Sequence, residues 1–451
     1  MADRRQTGPL ETPVYVYDLD EVRRNHATLR AALPDQGLLF YSLKANPHPA
    51  IVAALGALGC GAEVCSPGEL AVARAVGLPA DRILYTGPGK RDAEVAEAIA
   101  AGVRWFSVDS PHGLDQVDRA ADRAAVGARC LLRVNDKAPA PGQGLTMTGV
   151  ASQFGADAEW IEAEPKAFRS RPAAVIAGFH LYMGSNVAGV DALATQFGTA
   201  AGTARRLRDL LDVDLRLLNL GGGFGAPFGR AGRNADLSGL ADRIGALLAE
   251  AFPGWPAQGP PVAFESGRFL TATAGCLLTR VLDVKRSHGQ PVVVLESGIN
   301  HLGGMSGLRR LPPLVPDLFR PTADPAPADG TADPAPAPAP APADGTGPPG
   351  GLRDRAVGDG EAAGLTAAIV AGPLCTPLDT WARSANLPDV RPGDVLRVPN
   401  VGAYGLTASL LAFLGHPAPR EVVLDGGRVV DSSRLTLVRL ADLAADMDPK
   451  G

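Results

Sequence analysis

The chain has 451 residues and a formal net charge of −5, with 46% hydrophobic and 20% charged residues. This is the balance of an ordinary globular protein long enough for two domains, and the lack of a basic tract argues against nucleic-acid binding. No apolar run reaches the roughly 18–20 residues that cross a bilayer, and the N-terminal segment has no apolar signal core, so we expect a cytoplasmic protein without membrane contact.

The first predicted elements are eight strand-like apolar runs that alternate with helical segments. The runs are LLFYSLKAN (38–46), GAEVCS (61–66), RILYT (82–86), VRWFSV (103–108), RCLLRV (129–134), VIAGFHLY (175–182), LRLLNL (215–220) and VAFES (262–266). Segments between them, such as GELAVARAVGL, carry apolar residues at helical spacing. This α/β alternation is typical of a parallel (β/α)8 TIM barrel, which we predict for residues 20–270. A doubly wound open sheet is the alternative, but the count of eight favours the barrel.

Beyond residue 270 the strand-like runs are no longer separated by long helices. They are GCLLTRVLDVK, PVVVLES, TAAIVAG, GDVLRVP, EVVLDGGRVV and RLTLVRL, with Gly, Pro and Asp between them. The pattern predicts a C-terminal antiparallel β domain over residues 271–451. The early run TPVYVYD (12–18) is also strand-like, so residues 1–19 are assigned to the same domain.

One stretch of low complexity, residues 321–350, alternates Pro and Ala. Such a sequence offers no side chains for a core and favours extended polyproline conformations. We therefore predict a disordered insert within the β domain, rather than a ligand for a proline-recognising partner.

The polar residues that carry chemistry gather at the carboxyl ends of the predicted barrel strands. In a barrel, these ends and the loops after them build the active site. The residues are Lys44, Glu63, Ser66, Arg133, His180, Tyr182, the run Gly221, Gly222 and Gly223, and Glu265. The five cysteines and seven histidines, in contrast, show no zinc-type spacing, so we expect no metal site.

Lys44 ends the first strand, in a chain that has only six lysines. A buried lysine has a depressed pKa and becomes a nucleophilic amine able to form an imine with a carbonyl. On this residue alone, a lysine that extends from the strand end into solvent is the simpler interpretation.

The glycine run in NLGGGFG (219–225) follows the seventh strand. Adjacent glycines let backbone N–H groups converge on an anion, and barrels often bind phosphate after strands seven and eight. Phosphate binding and a simple tight turn are both open at this point.

FESGRF (264–269) follows the eighth strand. Arg268 could complete a phosphate site, and Glu265 could face a cationic ring nitrogen, which would make that ring a strong electron sink. A surface Glu–Arg pair is the alternative.

Together these motifs resemble the fold-type III pyridoxal-phosphate decarboxylases, the family of ornithine, arginine and diaminopimelate decarboxylases. The resemblance extends over nearly the whole chain outside the Pro/Ala insert. It is carried by YSLKANP, AEVCSPGEL, GFHLYMGS, NLGGGFG, FESGRF, GPLCTPLD and VGAYGLTAS.

The resemblance implies pyridoxal 5′-phosphate as cofactor and a role for each matching residue. Lys44 matches the Schiff-base lysine, and Glu265 matches the carboxylate on the pyridine nitrogen. Cys375 matches the thiol that protonates the product, and Asp379 matches a substrate-binding residue. Both would come from the second subunit of a homodimer with shared active sites. The remaining cofactor contacts implied are Glu63, Ser185, Gly221, Gly222, Gly223, Gly267, Arg268 and Tyr404.

The chain departs from the family pattern at three places. Tyr182 occupies the position where the family stacks a histidine on the cofactor ring, and His180 lies two residues earlier, so either could stack. Gln153 replaces a lysine of the dimer contact. Thr376 replaces the acidic residue that follows the catalytic cysteine in diamine-forming members.

These departures bear on the substrate. Without the acid at Thr376, and with Arg309 in a basic stretch near the pocket, a distal ammonium would lack a partner. We therefore predict a decarboxylase of an amino acid with a neutral or anionic distal group, such as carrier-protein-bound glutamate. The alternatives are a citryl-amino-acid decarboxylase of siderophore synthesis and a diaminopimelate or ornithine decarboxylase. An amino-acid racemase is disfavoured by Glu265, since the racemases place an arginine there, and a non-catalytic cofactor-binding barrel is disfavoured by the β domain.

Overall fold

The computed structural model describes residues 11–136, 145–146, 149–187, 189–303, 315–321 and 365–439. Its strands are β1 (Val14–Asp18), β2 (Leu38–Ser42), β3 (Gly61–Val64), β4 (Ile83–Tyr85), β5 (Trp105–Val108), β6 (Ala128–Asn135), β7 (Leu145–Thr146), β8 (Ala156–Asp157), β9 (Ala174–His180), β10 (Gly184–Ser185), β11 (Leu217–Asn219), β12 (Val262–Ser266), β13 (Gly275–Ser287), β14 (Gln290–Leu295), β15 (Leu365–Ala371), β16 (Thr380–Leu387), β17 (Val395–Val398), β18 (Arg420–Asp425) and β19 (Arg428–Arg434). Its α-helices are α1 (Leu19–Ala31), α2 (Pro49–Ala57), α3 (Pro67–Ala75), α4 (Asp92–Ala100), α5 (Pro111–Arg123), α6 (Ala158–Ala163), α7 (Val190–Leu211), α8 (Leu240–Ala251) and α9 (Arg268–Thr271).

Eight parallel strands close into a barrel. They follow one another in the order β2, β3, β4, β5, β6, β9, β11 and β12, and β12 pairs back onto β2. The predicted barrel is therefore confirmed, and the open-sheet alternative is excluded because an open sheet leaves its first and last strands unpaired.

The inside of the barrel changes from apolar to polar along every strand. Its floor contains Phe40, Leu84, Leu131, Leu217 and Ala263, which pack on one another. Side chains of a strand alternate between its two faces, so the residue two positions later also points inward. Those positions are polar, and with Glu63, Ser107 and His180 from the other strands they form a buried polar layer, which consists of Ser42, Glu63, Thr86, Ser107, Arg133, His180, Asn219 and Glu265.

The outer helices are fixed by local sequence signals. α5, for example, begins where the Ser110 hydroxyl accepts the N–H of Gly113, with Pro111 in the first turn. It buries Leu114 and Val117 against the barrel, and burying each such side chain stabilises the fold by about 1.5–3 kcal/mol. No helix in the described ranges is long and apolar enough to span a membrane.

The second sheet has the order β16, β15, β14, β13, β1, β18 and β19, with β17 also paired to β13. A separate β domain was predicted as antiparallel, but the sheet is mixed: β1 runs parallel to β18, and β14 runs parallel to β15. Parallel neighbours need a long crossover connection. Both pairs have one, since the whole barrel separates β1 from β18, and residues 296–364 separate β14 from β15.

Two details of the predicted β domain are wrong. Within the predicted strand RLTLVRL (434–440), the described residues 435–439 form no strand, because β19 ends at Arg434, where its partner β18 begins at Arg420 and offers nothing further to pair with. β16 was not predicted, because its sequence TWARSANL is rich in small and polar residues. The predicted disordered insert, residues 321–350, lies outside the described residues except for Pro321.

Candidate active site

A cavity opens at the carboxyl end of the barrel, directly above the buried polar layer. Eight residues that the sequence assigned to the cofactor line it, and three further residues, Ser42, Phe224 and Ser266, join them. The eight are Lys44, Tyr182, Ser185, Gly223, Glu265, Gly267, Arg268 and Tyr404. Residues from the first, sixth, seventh and eighth barrel strands thus meet around one space.

Lys44 projects into this cavity from the short helix after β2, and its side chain is 42% exposed. Its Nζ lies 3.1 and 3.2 Å from the two carboxylate oxygens of Glu63, which is 2% exposed. The structure does not support the expected depressed pKa of Lys44. Burial works to lower the pKa of Lys44, but the charge of Glu63 outweighs it and raises the pKa well above the ordinary lysine value.

Glu265 is held in place by neighbours within the polar layer. Its Oε1 accepts a hydrogen bond from Asn219 Nδ2 at 2.7 Å and lies 3.2 Å from His180 Nε2. The other ring nitrogen of His180 lies 2.9 Å from Ser107 Oγ. A carboxylate fixed by an amide, with an imidazole beside it, is well suited to face the nitrogen of a cationic ring.

The two candidate stacking residues have different positions. His180 is 1% exposed and lies below the cavity, between Ser107 and Glu265. Tyr182 lies in the cavity wall, where burial raises the pKa of its hydroxyl to about 12 and keeps it neutral. The positions favour Tyr182 as the aromatic face toward a bound ring, with His180 supporting Glu265.

The glycine run after β11 forms a buried turn. Within the described ranges, the N–H groups of Gly222 and Gly223 donate no hydrogen bond. The carbonyl oxygens of all three glycines each accept one. Their donors are the N–H of Glu265, Nε2 of Gln196 and the N–H of Val187. Backbone N–H groups that no protein acceptor uses, beside a cavity that Gly223 lines, are suited to binding a phosphate group.

Arg268 and Tyr404 complete the same wall. The guanidinium lies 4.7 Å from the Tyr404 ring centroid and 5.8 Å from that of Phe228. Tyr404 adopts a φ of +56°, and its N–H donates to Ala45 O at 2.7 Å. A non-glycine residue in this left-handed region costs about 1 kcal/mol or more, which its contact with the Lys44 turn and with Arg268 offsets. A cation beside the glycine turn fits a phosphate group.

The glycine turn gives a direct test of the cradle. A Cβ at Gly222 would lie 2.0 Å from the carbonyl oxygen of Glu265, so Gly222→Ala must displace the turn from β12. We expect a loss of cofactor absorbance and of roughly 1–3 kcal/mol in stability, measured by visible spectroscopy and thermal unfolding. Gly202→Ala, where a Cβ meets nothing within 4 Å, is the control. A Gly222→Ala protein with full cofactor occupancy would contradict the assignment.

The residues assigned to the substrate lie elsewhere in the single chain. Cys375 is exposed on the loop between β15 and β16 and is not part of the cavity wall. Thr376 follows it, and its Oγ accepts the N–H of Leu378 at 3.3 Å. Asp379 is 2% exposed, and its two oxygens accept the N–H groups of Ile299 and Leu374 at 2.8 Å. The position of Asp379 does not support the expected substrate contact, because its carboxylate is turned inward. Arg309 lies outside the described residues.

The sequence interpretation missed Ser42, Thr86, Ser107 and Asn219. Thr86 Oγ donates to Glu63 at 2.7 Å, and Asn219 links Glu265 to the N–H of Gly221. The available signal was alternation, since Thr86 and Asn219 each lie two positions after a leucine of the barrel floor.

Comparison with known families accounts for this arrangement. Residues 19–272 match the model of the pyridoxal-dependent decarboxylase family, pyridoxal binding domain. The chain belongs to this family. The pyridoxal-dependent decarboxylases are lyases, and the cofactor of this chain is pyridoxal phosphate, which the glycine turn, Arg268 and Lys44 fit.

Similar decarboxylases are known along nearly the whole chain. L-glutamyl-[BtrI acyl-carrier protein] decarboxylase of Niallia circulans is 29% identical and covers 93% of this chain and 90% of its own length. The 2-[(L-alanin-3-ylcarbamoyl)methyl]-2-hydroxybutanedioate decarboxylase of Staphylococcus aureus is 28% identical and covers 91% of this chain and 93% of its own length. The crystal structure of diaminopimelate decarboxylase from Helicobacter pylori with L-lysine has a TM-score of 0.75 at 24% identity, over 95% of both chains, which shows the shared fold. This chain is therefore a pyridoxal-phosphate-dependent amino-acid decarboxylase.

Proposed function

We propose that the substrate is a glutamyl group attached to an acyl-carrier protein, from which the enzyme releases CO2. The observation that carries this proposal is the loop after Cys375, which presents no outward carboxylate. Thr376 is neutral, and Asp379 uses both oxygens on backbone N–H groups of its own domain. A free diamino acid would bring a distal ammonium to this loop without a counter-charge, which is strongly unfavourable.

A carrier-bound glutamyl group has a distal end without a positive charge, as this loop requires. Its α-carboxylate must be free in order to leave, so the thioester lies on the distal carboxyl and makes that end neutral. The similarity to the L-glutamyl-carrier-protein decarboxylase supports the same substrate class. The product would be a 4-aminobutyryl group on the carrier.

The residues divide the chemistry among them. Bound pyridoxal phosphate supplies the electron sink for the pair left by the departing carboxylate. Lys44 would hold the cofactor, Glu265 would face its ring nitrogen, and Tyr182 would lie against its ring. The Cys375 thiol would deliver the proton that replaces the lost carboxylate, acting as general acid.

This role for Cys375 requires a homodimer, because the thiol is outside the cavity wall of its own chain. Large apolar side chains near this loop are exposed: Leu378 by 58%, Leu410 by 45% and Phe413 by 40%. The loops are connected, since Ile299 donates its N–H to Asp379 and accepts that of Leu410. An exposed apolar patch beside a loop with a catalytic residue supports a subunit contact that inserts Cys375 into the partner's cavity.

Turnover on a matched substrate set tests the proposed substrate. We expect CO2 release and a carrier-bound amine from L-glutamyl-carrier protein, and at least about 10²-fold lower kcat/KM for free glutamate, ornithine, lysine and diaminopimelate. A glutamyl thioester of a small thiol separates recognition of the acyl group from recognition of the carrier. Efficient turnover of a free diamino acid, or of a citryl-amino-acid conjugate alone, would contradict the proposal.

Thr376→Asp is the matched variant. It restores a carboxylate after Cys375 and should lower turnover of the glutamyl substrate while raising any turnover of ornithine or lysine. Thr380→Asp, at the exit of the same loop, adds the same charge away from Cys375 and should leave the ratio unchanged. An unchanged ratio in Thr376→Asp would place this residue outside the substrate pocket.

A further inference from the structure

Glu63 receives more hydrogen bonds than Lys44 alone provides. Its Oε1 lies 3.1 Å from Lys44 Nζ, 2.7 Å from Thr86 Oγ and 3.5 Å from Cys65 Sγ. Thr86 is fully buried and comes from the neighbouring strand end, after β4. The carboxylate that faces the cofactor lysine is thus held from a second, fixed side.

The direction of these hydrogen bonds follows from which groups carry a proton to donate. An ionised carboxylate can only accept, and a threonine hydroxyl has a single proton to donate. That proton goes to Glu63 at 2.7 Å rather than to Val64 O at 3.5 Å. Thr86 Oγ is then an acceptor for Cys65 Sγ, 3.1 Å away, so the thiol donates to Thr86 or to Glu63.

The thiol acts here as a neutral donor. Burial and then the charge of Glu63 raise the pKa of Cys65 to about 12, so it keeps its proton near neutrality. Cys65 therefore supports the carboxylate either directly or through Thr86, while Thr86 donates to Glu63 and Glu63 faces Lys44.

We propose that Thr86 is a positioning residue that keeps Glu63 ionised and directed at Lys44 Nζ throughout turnover, with Cys65 supporting it. Lys44 must exchange between its bond to the cofactor and a free amine in every cycle, so its charge moves relative to Glu63. A buried carboxylate that depends on one mobile cation would take up a proton whenever the cation leaves. Thr86, together with Ser42, prevents this because these hydroxyl groups are fixed in the barrel wall and carry no charge.

One other neutral donor lies beside the pair: the buried hydroxyl of Ser42, at the end of β2, also hydrogen-bonds Glu63. The titratable groups that face Lys44 and Glu63 are Cys65, Glu69, His180, Tyr182, Glu265 and Tyr404. Glu69 is an acceptor, bound to the N–H of Cys65 at 2.6 Å, and burial raises its pKa to about 7. His180 is already placed between Ser107 and Glu265.

The inference rests on Lys44 being the cofactor lysine, and it is tested in the holoenzyme by the pH midpoint of the cofactor's visible absorbance. Thr86→Val removes the hydroxyl at nearly constant shape. Glu63 then turns more freely and stabilises the protonated, positively charged form at Lys44 less well, so the midpoint should fall by about 1 pH unit. Thr86→Ser keeps the hydroxyl and should titrate within a few tenths of a unit of wild type.

Thr279→Val is the matched control. Thr279 is equally buried, and its hydroxyl has no partner in the described part of the chain, so the midpoint should not move. If Thr86→Val does not fold, Cys65→Ala takes its place and should shift the midpoint in the same direction by less. The inference is overturned if the Thr86→Val holoenzyme has the same pH midpoint as wild type. If that variant does not fold, an unchanged midpoint in Cys65→Ala overturns it. Wild-type absorbance that survives Lys44→Ala would instead overturn the assignment of Lys44.

Discussion

Lys44→Ala is expected to abolish covalent attachment of the cofactor and to reduce decarboxylation by about 10³-fold or more, equivalent to about 4 kcal/mol of transition-state stabilisation. The reason is positional. Lys44 is the lysine in the cavity wall, and it lies on the same space as the glycine turn and Arg268. Borohydride treatment of the wild type should fix the label on the peptide that contains Lys44, as read by mass spectrometry.

Two controls separate the role of the Lys44 amine as a nucleophile from the role of its positive charge. Lys44→Arg keeps a cation beside Glu63 but cannot form the covalent bond, so it should preserve folding and lose the label. Lys166→Ala removes an exposed lysine between α6 and β9 and should leave both label and turnover intact. A labelled Lys44→Ala protein would show that another amine holds the cofactor.

The barrel could be predicted from sequence because its strands are covered on both faces. Such strands appear as short apolar runs. Polar residues at their ends, such as Lys44 and Glu265, predict the position of the active site. The second sheet was less predictable, since its parallel pairs depend on which distant segments meet. β1 and β18 are about 400 residues apart, and nothing local to either strand specifies the partner.

Individual site residues could be predicted only where a residue type is unusual for its place in the sequence. Lysine, glutamate and a glycine run attract attention at a strand end, whereas Thr86, Ser107 and Asn219 are ordinary residues whose importance comes from inward orientation. His180 illustrates the limit. Its identity suggested a ring-stacking role, but the distance to Glu265 places it below the cavity.

Cys375→Ala is the second substitution with a large expected effect. General acid groups typically contribute ~10²–10⁴-fold to the rate, so we expect that loss in amine formation while the cofactor spectrum stays unchanged. Some turnover should yield a wrongly protonated product, detectable by mass spectrometry. Cys276→Ala, a partly exposed cysteine of the same sheet, is the control and should behave as wild type. Normal turnover by Cys375→Ala would mean that another group is the acid.

Mixing the two inactive variants tests the geometry that this role demands. If Cys375 acts in the partner's cavity, a dimer of one Lys44→Ala chain and one Cys375→Ala chain contains one intact site and one doubly defective site. Random exchange makes half of all dimers mixed, so activity should recover to about a quarter of wild type. Differently tagged subunits verify the exchange. Exchange without recovery would show that Lys44 and Cys375 serve the same chain. That result would require the loop between β15 and β16 to reach its own cavity, although Asp379 fixes it to the loop after β14.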